Sequence, residues 1–305
     1  MRVLVLGAGG FVGSWVVRKM AALHPEAQLV TSSLRDGVDL RDAGAADALF
    51  EKHAPEHVIN CAAYVGGIQF GYKFPAELLA HNHRMITNVF DACRAHGVRR
   101  LVQPISNCAY PAKETYFKEE NFLNGEPHES VYAYAVTRRT MAASAWAYHR
   151  EYGLDTISLV LSNMYGPGDH YDVERSHALG ALVKRIVDAK REGLGVVRLW
   201  GTGTPVREWL YVEDGAEALV RALTAQPAEG VVNVGHGQGV TVKALAETIR
   251  EVVGWTGEFE FDTSMPDGAP HKTMDGAKGR ALLGWGPESP LRAGIEKTVA
   301  DYMAS

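Results

Sequence analysis

The chain has 305 residues, 46% of them hydrophobic, with 31 basic and 36 acidic side chains and a formal net charge of −5. That is enough apolar material for one large α/β domain with a smaller appended lobe, and the slightly acidic balance offers no basic field to nucleic acid or to an anionic membrane surface. Cys61, Cys93 and Cys108 form no close pairs, so neither a disulfide framework nor a metal site is expected, and a reducing cytoplasm is the default compartment.

Met1–Leu6 is apolar only as far as Gly7, too short for a signal peptide, and no apolar stretch is long enough to span a bilayer. Val3 to Leu6 reads instead as a strand, followed by a helix from about Phe11, a strand from Gln28 to Thr31, a helix through Ala43 to His53 and a strand from His57 to Asn60. This is the βαβ rhythm of a doubly wound parallel sheet. It continues with a helix starting near Pro75, a strand at Arg100 to Ile105, an Ala-rich helix near Val131 to Tyr152 and a strand at Asp155 to Leu161. After Asn163 the texture changes to loops rich in Gly, His, Trp and charge, with a helix near His177 to Arg191 between them. The sheet rhythm returns with a helix near Asp214 to Thr224, a strand Val231 to Val234 and a helix Val242 to Val253. The expectation is a Rossmann-type nucleotide-binding domain of residues 1–163 plus about 212–254. A smaller C-terminal α/β substrate-binding lobe would comprise about 164–211 plus 255–305.

Gly7-Ala8-Gly9-Gly10-Phe11-Val12-Gly13 follows the first strand and opens the first helix. Glycines at 7, 10 and 13 let the backbone approach a pyrophosphate, whose charge the helix N-terminus favours. The second strand ends in Thr31-Ser32-Ser33-Leu34-Arg35, where a carboxylate would be expected to hold an NAD ribose. With no acid there, Arg35 with Ser32 or Ser33 suits a 2′-phosphate, so the cofactor expected is NADP(H), with Asp39 and Leu40 opening the adenine-side loop.

Ser106 closes the fourth strand and Tyr134 lies near the start of the long helix. In a serine–tyrosine pair of this kind, tyrosine exchanges a proton with a carbinol oxygen that serine hydrogen-bonds. Arg138 stands four residues on, where a cation would ease tyrosine ionisation. Tyr132 is the alternative phenol, but Val136 occupies the corresponding position after it.

Longer stretches are more specific than these motifs. Ala62-Ala63-Tyr64-Val65-Gly66-Gly67-Ile68, Ser106-Asn107-Cys108-Ala109-Tyr110-Pro111, Ser176-His177-Ala178-Leu179, Trp200 to Trp209 and Phe261 to Gly268 together make the chain resemble, through nearly its whole length, the GDP-L-fucose synthase family of the extended short-chain dehydrogenases/reductases. The resemblance implies a homodimeric, NADP-dependent epimerase-reductase of a nucleotide-linked keto-sugar, GDP-4-keto-6-deoxymannose or a relative of it such as a deoxyheptose. It places Cys108 and His177 at proton exchange on the carbons flanking a C4 ketone, and Ser106, Tyr134 and Arg138 at its reduction. It also places Ala62 and Ala63 at the cofactor, and Asn163, Trp200 and Arg207 at the sugar-nucleotide; Lys184 or Arg185, on the basic face of the helix after His177, is a further candidate for the diphosphate, with a plain solvated face as the alternative. The chemistry is sound, because a ketone acidifies its neighbouring C–H bonds and inversion needs a base and an acid on opposite faces of the ring. Asn107-Cys108 stands where related sugar dehydratases carry Asp-Glu, which argues against dehydration. The chain departs from the family at Arg138, where the family has lysine, and at Met265 and His271, where it has basic residues. Catalysis of only one half-reaction is the alternative that Arg138 raises, and a catalytically silent NADP-binding sensor is the alternative of another class.

Overall fold

A computed structural model describes residues 1–172, 178–265 and 267–305. The first part of the chain runs β1 (Arg2–Leu6), α1 (Phe11–Leu23), β2 (Gln28–Ser32), α2 (Ala43–His53), β3 (His57–Asn60), α3 (Ile68–Lys73), α4 (Pro75–Ala95), β4 (Arg100–Ser106), β5 (Tyr116–Phe117), α5 (Tyr132–Tyr152) and β6 (Asp155–Leu161). It continues through β7 (Asn163–Tyr165), α6 (Ala178–Glu192), β8 (Val196–Trp200), β9 (Val206–Arg207), β10 (Trp209–Tyr211), α7 (Val212–Arg221) and β11 (Val231–Val234). The last elements are β12 (Val240–Thr241), α8 (Val242–Val253), β13 (Glu258–Asp262), β14 (His271–Met274), α9 (Ala277–Leu283) and α10 (Leu291–Ala304).

Six parallel strands form the main sheet in the order β11-β6-β4-β3-β1-β2. Helices cover both faces, so its strands are apolar on both sides. In β1, Leu4 and Leu6 enter the core beneath α2, α4 and α5, while Val3 and Val5 enter the opposite core beneath α1 and α7. Each such fully buried aliphatic side chain contributes about 1.5–3 kcal/mol. The chain winds outward from β1 to β2 and then returns to β3. That reversal opens a crevice at the C-terminal ends of β1 and β3, the place where this architecture receives ligands.

Local signals set the helix ends. Pro75 begins α4 at a position where its missing N–H costs nothing, and α5 stops at Gly153, whose φ of 72° is left-handed. Asp42 and Thr241 cap α2 and α8 by accepting the N–H groups of Ala45 and Ala244, each at 3.0 Å.

The lobe has its own core, in which Leu179, Val183 and Ile186 of α6 meet Leu245 and Ile249 of α8 and Ile295 and Val299 of α10. Here the boundaries drawn from sequence rhythm need correction. Helix α8, assigned above to the nucleotide-binding domain, turns its apolar face into the lobe core. Conversely α9, assigned to the lobe, sends Leu283 into the core beneath α1 and α7. An amphipathic period identifies a buried face but not the partner that buries it. Helix α7 begins at Val212 rather than near Asp214, and α6 runs from Ala178. The short sheet β12-β9-β14-β5 joins the two parts, because β5 comes from the segment that follows β4.

Candidate active site

The glycine loop is built by exclusion. A Cβ on Gly13 would stand 2.1 Å from the Gly7 carbonyl oxygen, and one on Gly7, whose φ is +72°, would stand 2.7 Å from the Ala62 nitrogen. No larger residue fits at either position, so the start of α1 packs directly on the β1 and β3 ends and leaves backbone facing the crevice. Gly10 donates its N–H to the Gly7 oxygen at 3.0 Å, and Phe11 and Val12 begin the helix whose N-terminus points there. Ala62 and Ala63 form the opposite rim, Ala62 donating its N–H to Asn60 Oδ1 at 3.2 Å.

Ser32 is 3% exposed and turned into the protein. Ser33 and Arg35 instead flank the loop, with Ser33 Oγ 3.3 Å and Arg35 Cδ 3.9 Å from a Cβ position on Gly9. Strand alternation turns Ser32 inward and leaves Ser33 beside the loop. Asp39 is held by Arg41 in a forked pair at 2.6–3.0 Å, which drives its carboxyl down to about 2. Leu40 is buried, with its carbonyl accepting Asn88 Nδ2 at 2.9 Å.

At the end of β4 the chain turns through a short 3-10 segment, Asn107–Ala109, whose first N–H groups the Ser106 side chain caps by accepting from Cys108 N at 3.4 Å. This turn packs on the start of α5 and brings Cys108 into the electrostatic reach of both Tyr134 and Arg138. Burial alone pushes the Cys61 thiol up to about 12, and the Cys93 thiol rises for the same reason. Cys108 is also raised by burial, but a hydrogen bond with Ser106 and the Arg138 charge oppose that rise. Cys108 thus has neighbours that oppose the rise, where Cys61 and Cys93 show burial alone, although burial still holds its thiol above the ordinary range. Burial likewise raises the Tyr134 phenol, and Arg138 pulls it down.

Arg138 is 3% exposed. Its guanidinium lies 4.7 Å from the centre of the Tyr134 ring, and Nη2 donates to Asn82 Oδ1 at 2.8 Å. Asn82, on α4, also accepts the Tyr64 N–H at 3.2 Å and donates to the carbonyls of Tyr64 and Leu78, each at 2.7 Å. One amide thus ties the guanidinium on α5 to the loop that follows Ala62 and Ala63. Sequence reading passed over Asn82, although a polar residue in the apolar stripe of Leu78, Ile86 and Val89 was a usable signal. His177 lies outside the described residues.

On the lobe side, Arg207 is half-buried and donates Nη1 to the Val206 carbonyl at 2.8 Å, with burial lowering its affinity for the proton. Trp200, at the end of β8, is 60% exposed, free to offer a ring face. Asn163 Nδ2 donates to the Glu208 carbonyl at 2.8 Å and so fixes the β7–β10 pair. Lys184 is not brought to this group. Its ammonium is engaged by Asp188 at 2.7 Å and by the Tyr302 hydroxyl of α10 at 3.0 Å, an ion pair at the natural i,i+4 spacing. His271 contacts Thr273 Oγ1 at 3.0 Å beside β9. Two further residues were not singled out from sequence. Glu208 is 1% exposed and accepts the N–H groups of Met274 at 2.8 Å and Gly237 at 3.2 Å, while Lys272 reaches across to the segment after Cys108. Among the described residues, no group of three or more His, Cys, Asp or Glu side chains can hold a metal ion, and no helix is long and apolar enough to cross a membrane.

A crevice at a strand-order reversal and a loop that only glycine can form define an α/β protein of the nucleotide-cofactor class. The family model described as the NAD dependent epimerase/dehydratase family matches residues 3–235, and the chain belongs to that family. It is 38% identical over 304 residues to a probable GDP-L-fucose synthase 1 of Oryza sativa subsp. japonica, covering 99% of this chain and 92% of the relative. Its fold matches a GDP-L-fucose synthetase from Naegleria fowleri bound to NADP with a TM-score of 0.91 and 28% identity, covering 99% and 94% of the two chains. It also matches a GDP-6-OMe-4-keto-L-xylo-heptose reductase from C. jejuni with a TM-score of 0.89 and 25% identity, covering 99% and 97%.

Proposed function

We propose that this protein is a homodimeric cytoplasmic enzyme that uses NADP(H) to epimerise and reduce a GDP-linked 4-keto-deoxy sugar, with GDP-4-keto-6-deoxymannose as the leading substrate. The observation that carries this reading is the convergence of Cys108, Ser106, Tyr134 and Arg138 at the end of β4, one strand away from the glycine crevice. The relatives named for GDP-sugar chemistry, similar along the whole chain, support the same reading.

The residues fit the cofactor. Gly7, Gly10 and Gly13, with the α1 N-terminus, suit its pyrophosphate, Arg35 and Ser33 suit a 2′-phosphate, and Ala62 and Ala63 line the rim above β3. When bound, NADPH supplies hydride for the carbonyl carbon. The chain supplies the rest. Cys108, with His177 as its proposed partner, removes and returns protons at the carbons flanking the ketone. Ser106 then holds the C4 oxygen and Tyr134 delivers a proton to it, its ionisation favoured by the guanidinium stacked on its ring. Arg207 pairs with the nucleotide diphosphate and Trp200 offers its face to the base or sugar. Trp146 on α5 is 69% exposed, Tyr132 is exposed on the same side of that helix, and this face is the proposed dimer contact.

The similarity to the heptose reductase favours one second reading, reduction without epimerisation, which agrees with a Cys108 thiol held up by burial. Incubation with GDP-4-keto-6-deoxymannose and NADPH in deuterated water decides between them. The proposal expects nicotinamide absorbance to fall and the product to carry deuterium at the inverted carbons. Oxidation without ring deuterium supports the reductase, deuterium without oxidation supports an epimerase, and neither signal with any GDP-keto-sugar overturns the enzymatic reading.

A further inference from the structure

Lys272 sits on β14 directly beside Arg207 of β9, in register across the pair. The two cations are neighbours, and among the described residues neither has a carboxylate within ion-pair distance. Lys272 instead turns its ammonium to the backbone of the segment that follows the Cys108 turn. Its Nζ donates to the carbonyls of Glu114 at 2.6 Å and Ala112 at 2.9 Å, and approaches that of Pro111 at 3.5 Å. It also stands 5.0 Å over the Phe117 ring, which stacks on Tyr110 with ring centres 4.5 Å apart. Tyr110 in turn belongs to the stretch Cys108-Ala109-Tyr110 and donates its hydroxyl to Asn233 Oδ1 at 2.7 Å.

A half-buried ammonium hydrogen-bonded only to backbone carbonyls and set over a ring face, next to a second cation, with the carboxylates of Glu114 and Asp267 acting on the two cations only from beyond ion-pair distance, is costly in the absence of a closer anion. Burial and the Arg207 charge lower the Lys272 ammonium to about 8, with the Glu114 carboxylate opposing them. A diphosphate arriving at Arg207 would cancel the repulsion between the two cations and strengthen the ammonium's hold on the three carbonyls.

We propose that Lys272 is a positioning residue that couples occupancy of the Arg207 site by a nucleoside diphosphate to the order of the Cys108 turn. This rests on the GDP-sugar reading above and adds to it a route by which the nucleotide end of the substrate prepares the groups that act on the sugar. The energy of the remote nucleotide would then be used to orient the reacting end.

Backbone amide exchange of residues 107–117, followed by mass spectrometry with and without GDP, tests the coupling without needing the sugar. In the unaltered protein GDP should slow exchange of this segment about tenfold. In Lys272→Met the segment should exchange about tenfold faster even without ligand, and GDP should give no further protection although its affinity falls by less than about tenfold. Lys272→Arg, which keeps the charge, should restore protection. With substrate, Lys272→Met should lower kcat for deuterium wash-in more than it raises KM, and it should combine non-additively with Arg207→Met. Equal protection by GDP in Lys272→Met and the unaltered protein overturns the coupling, and so do strict additivity or failure of Lys272→Arg to restore protection. Failure of GDP to bind the unaltered protein is a separate result that sinks the GDP-sugar reading, and the ligand-free exchange of Lys272→Met still reports on the clamp.

Discussion

Two walls of the candidate site, the glycine loop and the β9–β14 pair, are made by different means. The β1–α1 wall is backbone, shaped by positions at which any Cβ collides with a carbonyl or an amide. The β9–β14 wall is charge, Arg207 beside Lys272, held out by short strands, hydrogen-bonded to backbone carbonyls and offset from a distance by the Asp267 and Glu114 carboxylates. Steric specification is all-or-none, whereas electrostatic specification is graded, because a charge can be weakened, moved or screened without collapse of the structure around it. The first wall should therefore fail abruptly under mutation and the second by degrees.

Gly13→Ala should give the largest effect. The added methyl meets the Gly7 oxygen at 2.1 Å, so α1 must shift, at a cost of about 1–3 kcal/mol in stability and with loss of NADPH binding. Thermal melting with and without NADPH reads both, and retention of the cofactor-induced rise in Tm would show that the loop tolerates what its geometry forbids. Arg207→Ala should be graded by comparison, raising KM for the GDP-sugar about 10- to 100-fold with little change in kcat or NADPH affinity. An equal fall in kcat would mean that the arginine acts on the reacting end as well.

Arg138 belongs to neither wall: Asn82 ties it to the loop after Ala63, and its guanidinium lies over the Tyr134 ring. Burial holds the Tyr134 phenol above its ordinary range and Arg138 opposes it, so Arg138→Met should leave burial unopposed. The apparent pKa governing reduction then rises and the rate at neutral pH falls, while Arg138→Lys keeps a positive charge and most of the activity. A pH profile of NADPH oxidation for the three proteins checks this, and identical profiles would remove Arg138 from the chemistry. The smallest effect expected is at Arg35. It flanks Gly9 from an exposed turn, and Arg35→Ala should narrow the preference for NADPH over NADH about tenfold, as measured by competitive titration.

The same contrast explains what could be read from the residues alone. The glycine wall is local. Gly7 to Gly13, the strand before it and the helix after it are contiguous, and their spacing carries the geometry. The alternation of β2 also carried the distinction between Ser32 and Ser33, although the acidic residue missing from that strand end was the more visible feature. The charged wall is not local. Lys272 meets Glu114 across 158 positions of sequence, and Asn82 meets Arg138 across 56, so no spacing rule connects them. Lys184 shows the opposite failure. A basic residue on the α6 face looked available, but Asp188 one turn later and Tyr302 at the far end of the chain already engage it. Helix α8 was misplaced for the same reason, since its amphipathic period is equally compatible with either core.

The central claim is that Cys108 and Tyr134 act in one site on two separable steps. The most direct measurement follows deuterium incorporation and NADPH oxidation together, with GDP-4-keto-6-deoxymannose in deuterated water, for Tyr134→Phe and Cys108→Ser. Tyr134→Phe should still wash deuterium into the ring carbons while its NADPH oxidation is lost, since the phenol's proton serves only the C4 oxygen. Cys108→Ser should incorporate almost no deuterium, because a serine hydroxyl stays protonated where a thiol ionises, while its NADPH affinity remains unchanged. Loss of deuterium incorporation in Tyr134→Phe, or undiminished incorporation in Cys108→Ser, would contradict the account.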